Sequence, residues 1–108
     1  MSETSEAPLR SLAEIDRVIH EPARLMLLRY LAEVDGADFV FLQRASGLTW
    51  GNLSAHLAKL EEVGYIEVDK QFVQRKPRTM LRLSKKGRQA LQSYRKIMRQ
   101  ALDKLEVT

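Results

Sequence analysis

From Lys70 to Gln100 the chain carries eleven Lys/Arg residues and no Asp or Glu. Residues 1–69 hold six Lys/Arg against twelve Asp/Glu, so the net charge of +4 conceals a strongly polarised molecule. An acid-free cationic block of this length is suited to holding a polyanion, since clustered ammonium and guanidinium groups raise the local potential. A solvated basic face is the plainer account of such a run. Here the block begins in a hairpin-like segment behind a helix, which favours nucleic acid.

Other chemistries find little support. Cysteine is absent, which excludes disulfides, thiolate nucleophiles and Cys-ligated metals. The two histidines, His20 and His56, are far apart and fall in no HExxH pattern, so no metal site is expected. There is no P-loop and no GxSxG, so no enzyme and no cofactor are expected. Charges interrupt every apolar stretch well short of the ~18 residues that a membrane span needs. The start, MSETSEAPLRSLAEIDR, has acids and no apolar core of a signal peptide. The expected compartment is the cytoplasm.

The elements that must position these residues can be read from periodicity. With 108 residues, 44% hydrophobic and 30% charged, the chain has the balance of one globular domain. Residues 1–8 read as a flexible tail, and 9–108 as the folded unit. Leu9, Leu12, Ile15 or Asp16, and Ile19 have helical spacing, predicting a first helix over 9–19. Pro22 suits the first turn of a second helix over 22–34, with Leu25, Leu28, Leu31 and Ala32 inward and Asp35-Gly36 as its stop. A short helix over 39–46 turns Phe41, Leu42 and Ala45 inward, with Phe39 open to a short strand before it. Gly47 suits a left-handed turn. Thr49 reads as the N-cap of a helix from Trp50 to Val63, with Leu53, Leu57 and Leu60 as its inner stripe and Gly64 as its stop.

The period then changes to two. Tyr65–Asp69 and Thr79–Leu83 alternate as strands, with Met80 or Leu81 and Leu83 as the buried side. Residues 71–78 lack a core pattern and read as a loop. Ser84 can cap a last long helix over 85–105, with Leu91, Tyr94, Met98, Ala101 or Leu102, and Leu105 along one side. Two helices joined by a tight Gly-containing turn form a helix-turn-helix, and a following hairpin makes the winged variant. The expected fold is mainly α with a small β-hairpin, in about five helices.

Several stretches resemble the winged helix-turn-helix transcriptional regulators of the ArsR and MarR type. Pro22-Ala23-Arg24-Leu25-Met26-Leu27-Leu28 is similar to an ArsR-style opening. Leu48 through Glu61 and Gly64-Tyr65-Ile66 look like a recognition helix and first wing strand. Phe72, Arg75-Lys76-Pro77-Arg78-Thr79, Leu83-Ser84 and Gly87-Arg88-Gln89-Ala90-Leu91 resemble a small stand-alone group within this set. The resemblance implies a dimeric DNA-binding repressor or activator. The chain departs from it in lacking the Cys or His/Asp clusters of ArsR-type metal sensors and the extra terminal helices of larger MarR proteins. The residues themselves indicate no small-molecule effector.

Within that frame each candidate residue acquires a role. The start of a recognition helix meets base edges in the major groove. Gly51, Ser54, Ala55 and Ala58 turn outward, with Asn52 and Lys59 on the flank. The small residues allow close approach, while Thr49, Asn52 and Ser54 supply short donors and acceptors. Thr49 and Asn52 are equally well explained as capping residues. Trp50 either stacks on sugar-phosphate or packs under the turn. For His56, partial burial with one hydrogen bond is the expectation. In the wing, Arg75 is the candidate for minor-groove insertion, Lys70, Lys76 and Arg78 for phosphates, and Gln74 for a further contact. Lys85, Lys86 and Arg88 crowd a helix start, where a nearby anion would relieve their conflict with the helix dipole. Arg95, Lys96 and Arg99 go to solvent or to pairing with the acidic N-terminal segment.

The last helix looks long enough to overhang so small a domain, so a homodimer is expected through Leu12, Ile15, Leu91, Tyr94, Met98, Leu102 and Leu105. Two protomers would read a pseudo-palindromic operator in double-stranded DNA, with half-sites ~34 Å apart. The alternative reading is a winged-helix module whose basic face meets an acidic protein.

Overall fold

The computed structural model describes residues 10–103 and 105. Along them run α1 (10–13), α2 (Pro22–Leu31), β1 (Ala37–Asp38), α3 (Phe39–Ser46), α4 (Trp50–Glu62), β2 (Ile66–Val73), β3 (Lys76–Leu83) and α5 (Lys85–Leu102). The expected architecture of about five helices and a wing is borne out. The tail expected over 1–8, and Leu9 with it, lie outside the described residues.

The core is built from the stripes that the spacing marks. Leu28 and Leu31 of α2, Leu42 of α3, Leu53 and Leu60 of α4, and Leu81 of β3 are fully buried around Ile19. Leu57 joins them, completing the inner stripe of α4. On α2 the buried third member is Leu27, while Leu25 is only half-buried.

Capping accounts for where the helices begin. Glu21 accepts from the Arg24 backbone N–H at 2.9 Å, with Pro22 at the first helical position. Asp38 accepts from the N–H groups of Val40 and Phe41 to start α3. Thr49 Oγ1 accepts from Asn52 N–H at 3.1 Å, so its capping role is borne out. Gly47 (φ 72°) closes α3 and Gly64 (φ 82°) follows α4, both in the left-handed region where a Cβ is costly.

Several boundaries differ from the sequence reading. The first helix ends at residue 13 instead of 19, because Asp16 Oδ1 accepts from the Val18 and Ile19 N–H groups and holds the chain in a turn. Asp16 Oδ2 also accepts a hydrogen bond from the Tyr65 hydroxyl, anchoring this segment to the root of the hairpin. Burial, assisted by that carboxylate, pushes the Tyr65 phenol up to about 12. The second helix stops at Leu31, short of Asp35-Gly36, with Ala32 as its C-cap. Phe41 and Ala45 face outward; the Phe41 ring rests 5.6 Å from that of Tyr30.

The sheet is larger than expected. β1 precedes Phe39, which itself begins α3, and pairs antiparallel with β3 through Ala37↔Leu81 and Asp38↔Met80. The strand order is β1-β3-β2. Most of residues 71–78, expected as a loop, is strand: pairing continues from Ile66↔Leu83 out to Val73↔Lys76. Burial patterning fails there because the outer hairpin leaves the core, and backbone pairing alone carries it. Only Gln74 and Arg75 form the connection, both with positive φ (52° and 67°), as in a type I′ turn matched to the strand twist.

Helix α5 starts where Ser84 Oγ accepts from Gly87 N–H and donates to Gly64 O at 2.6 Å. It ends at Leu102, so Leu105 lies beyond it. Tyr94 turns into the protomer's own core, its hydroxyl joined to His20 Nδ1 by a 2.8 Å hydrogen bond. Burial raises the Tyr94 phenol above its ordinary range. No helix among the described residues is long and apolar enough to cross a membrane.

Candidate nucleic-acid interface

With Leu53, Leu57 and Leu60 locked inward, α4 has no freedom about which face it shows. Thr49, Trp50, Gly51, Asn52, Ser54, Ala55, Ala58 and Lys59 all lie exposed. Among them are Gly51, Ser54, Ala55 and Ala58, which the helical wheel turns outward, and Asn52 and Lys59 of its flank. Gly51 is informative. A Cβ built there would meet nothing within 4 Å, so packing does not require glycine. It stands at the second position of α4, where the missing side chain leaves the helix surface low.

Trp50 is half-exposed, with its ring stacked on Phe39 at 5.5 Å and 13° between planes. It thus packs at the turn, as one of the two expectations had it, while half of its surface stays open. Lys59 Nζ sits 3.4 Å from Glu62 Oε1 along the same helix, a weak exposed pair that leaves the ammonium available. His56 is half-buried, and its Nδ1 accepts from the Arg24 guanidinium at 3.3 Å. It is a packing residue, as expected.

The hairpin stands beside this helix. Between them lies a crevice of about 320 Å³ lined by Ser54, Ala58 and Glu61 of α4 and by Val68, Lys70, Thr79 and Leu81 of the sheet. Alternation along the strands puts Ile66, Val68, Lys70 and Phe72 on the face turned to α4, opposite Leu83, Leu81, Thr79 and Pro77. The crevice therefore has a cation and a hydroxyl on the wing side and a hydroxyl on the helix side. Glu61, at its inner end, is an opposing charge.

The other face of the hairpin is pinned. Arg78 Nε donates to Asp38 Oδ2 at 2.9 Å, and Arg82 pairs more loosely with Asp69 at 3.7 Å. The Arg78 guanidinium, and then the Val40 and Phe41 N–H groups, hold the Asp38 carboxyl below its usual range against the opposing effect of burial. One carboxylate thus caps α3 and clasps the wing. Arg78, expected as a phosphate ligand, has its Nε committed to this clasp. Lys70, Arg75 and Lys76 are exposed and their side chains make no ion pair among the described residues. The hairpin tip is accordingly an uncompensated cationic end.

Cations also crowd the start of α5. Lys86 Nζ lies 5.9 Å from the centroid of the Tyr65 ring, and Arg88 reaches the Ala32 carbonyl at 3.5 Å. Arg95, Lys96 and Arg99 are exposed farther along. Sequence reasoning overlooked Phe72, Thr79 and Asp38. Asp38 pairs across forty residues, with no local signal.

On the opposite side, α5 and α2 enclose an open apolar groove of about 550 Å³, lined by Leu25, Leu91, Tyr94, Met98 and Leu102 and rimmed by Arg29, Arg95 and Arg99. Leu91 and Met98 pack partly on the core, whereas Leu102 and Leu105 are more than half exposed. Leu12 is at the edge of exposure and Ile15 packs partly on the core.

A two-layer frame that exposes one helix face beside a cationic hairpin is the design of a winged helix. A family model described as a winged helix DNA-binding domain matches residues 23–102, and the chain belongs to that family. An uncharacterized protein of Methanocaldococcus jannaschii is 32% identical over 78 residues, covering 72% of this chain and 85% of that protein. Among solved structures, a transcriptional regulator homologue from Pyrococcus horikoshii OT3 is similar with a TM-score of 0.85 and 27% identity, covering 91% of this chain and 99% of that one. The transcriptional repressor BigR from Xylella fastidiosa shares the fold with a TM-score of 0.63 and 23% identity, over 97% and 98% of the two chains.

Proposed function

We propose that the protein is a homodimeric transcriptional repressor that binds a pseudo-palindromic site in duplex DNA. In this reading α4 enters the major groove, where Asn52, Ser54 and Thr49 meet base edges or phosphates, with Trp50 flanking them, and Gly51 and Ala55 permit close approach. Arg75 and Gln74 at the hairpin tip reach the adjacent minor groove. Lys70 and Lys76 neutralise phosphates, joined by Lys59 and by whichever Arg78 nitrogens the Asp38 clasp leaves free. The observation that carries the reading is the juxtaposition of an exposed, small-residue helix face with a hairpin tip whose cations have no partner.

Dimerisation completes the proposal. Leu91, Met98 and Leu102, with Leu12, Ile15 and Leu105, supply apolar surface that a second copy would cover, and the arginines rim it. Tyr94 contributes by shaping the groove wall from within the core. In this reading the protein works in the cytoplasm.

Selection of bound fragments from a random duplex pool tests the reading. A symmetric consensus with half-sites ~34 Å apart is expected. Failure to retain any duplex at low ionic strength, or retention of an acidic protein that random DNA cannot displace, would refute it.

A further inference from the structure

Phe72 is the most exposed large hydrophobic residue among the described residues, with 79% of its surface open. It has no structural duty: its cross-strand neighbour is Pro77, and neither belongs to the core. A bare aromatic on a long, exposed hairpin is an aggregation liability unless something covers it. We propose that Phe72, backed by Pro77, is an apolar pad that seats on deoxyribose at the rim of the minor groove. This rests on the DNA-binding reading above and adds to it a contact that carries no charge.

Three observations point to DNA as the occupant. First, the pad lies on the hairpin face turned to α4, in line with Val68 and Lys70, and so on the side where a duplex held by that helix would run. Second, its surroundings are cationic: Lys70, Arg75 and Lys76 are close in the ladder, and no acid occurs between Lys70 and Gln100. Third, the reach fits. Phe72 stands two residues before the first turn residue, Gln74, so at ~3.4 Å per residue it trails the tip by ~7 Å. The minor groove is about 7.5 Å deep, so a tip on the groove floor leaves Phe72 level with its sugar-lined mouth. The ring then meets sugar carbons, which are alike for every base pair. Arg75 reads the floor and Phe72 grips the wall.

A contact of this kind has its own signature in salt. Counterion release makes log K fall with log salt in proportion to the phosphates neutralised, and an uncharged pad leaves that slope alone. Burying ~50 Å² of ring at ~25 cal/mol per Å² corresponds to about tenfold in affinity. The test is binding of mixed-sequence duplex DNA to the full chain across a salt series, for wild type, Phe72→Ala, Phe72→Leu and Lys76→Ala. Phe72→Ala should bind about tenfold more weakly at every salt with the wild-type slope, and Phe72→Leu should keep most of the affinity. Lys76→Ala should instead flatten the slope by about one ion's worth. Wild-type affinity in Phe72→Ala, or a loss that appears only as a changed slope, overturns the proposal. So does a drop in its melting temperature, which would give the ring a structural role. If wild type itself ignores duplex DNA, the DNA-binding reading has failed first, and that result is separate from these.

Discussion

Replacing Gly87 with Ala should unfold much of what joins α5 to the wing. By helix propensity alone the change would help, since Ala is favoured over Gly by about 1 kcal/mol in a helix interior. Packing decides otherwise. The new Cβ would stand 2.1 Å from the Tyr65 carbonyl oxygen, 2.8 Å from its carbon and 2.9 Å from Leu83 Cδ1, where ordinary contact begins near 3.4 Å. Backbone cannot rotate away as a side chain can, so helix and strand must part by more than an ångström. That same carbonyl accepts from the Ser84 N–H at 3.0 Å, and Ser84 Oγ bridges Gly64 O and Gly87 N–H. Overpacking costs ~1–3 kcal/mol, and each of the strained hydrogen bonds about 1 kcal/mol more. After the propensity gain, a net loss of ~3–5 kcal/mol is expected, out of a total of ~5–15 kcal/mol. Urea denaturation followed by far-UV circular dichroism should show a markedly lower midpoint with an unchanged slope. A midpoint equal to or above wild type would show that α5 is not seated on Tyr65 and would refute the reasoning.

Three further outcomes are expected. Arg75→Ala and Asn52→Ala should each weaken binding to a selected site by about 1–3 kcal/mol if they read bases, narrowing its lead over random duplex in a filter or anisotropy assay, and wild-type affinity in both would remove them from the site. Asp38→Asn keeps an N-cap but loses the anionic half of the clasp with Arg78. Because the folded carboxyl titrates below its free value, its contribution is complete above about pH 4 and fades as pH falls through the folded value. The variant should be less stable than wild type by about 0.5 kcal/mol near neutrality, since Arg78 is half-exposed, and the gap should close in acid melts. Leu102→Glu puts a charge on the open apolar line of α5. Analytical ultracentrifugation should show wild type as the proposed dimer and the variant as a monomer, with the melting temperature of the isolated fold nearly unchanged.

Legibility in the sequence followed burial. Leu53, Leu57 and Leu60 announced α4 because one face of that helix is wholly covered, and the cap residues Thr49 and Ser84 announced where α4 and α5 begin. The outward face of α4 followed from the same stripe. Residues 71–73 and 76–78 gave no such signal: their partners are backbone groups across the hairpin, and both faces are wet. The first helix misled because Ile15 and Ile19 keep helical spacing while Asp16 diverts the backbone between them. Tyr94 fits an apolar stripe on α5 whichever body it packs against, and spacing cannot tell a neighbour in the same chain from one in another. Contacts between distant residues, Asp38 with Arg78 and His20 with Tyr94, leave no local trace at all.

The two-residue tip of the hairpin has a consequence for how this protein can be altered. Asparagine and glycine are the residues that sit comfortably in such a bend, yet here Gln74 and Arg75 occupy it, both forced into a backbone region that residues with a Cβ resist. A swap to Asn-Gly would make the fold sturdier and blunt its outermost guanidinium at the same stroke. With Arg75 on DNA as proposed, selection for heat tolerance and selection for target affinity pull this one dipeptide in opposite directions, and variants hardened by laboratory evolution should surrender Arg75 early.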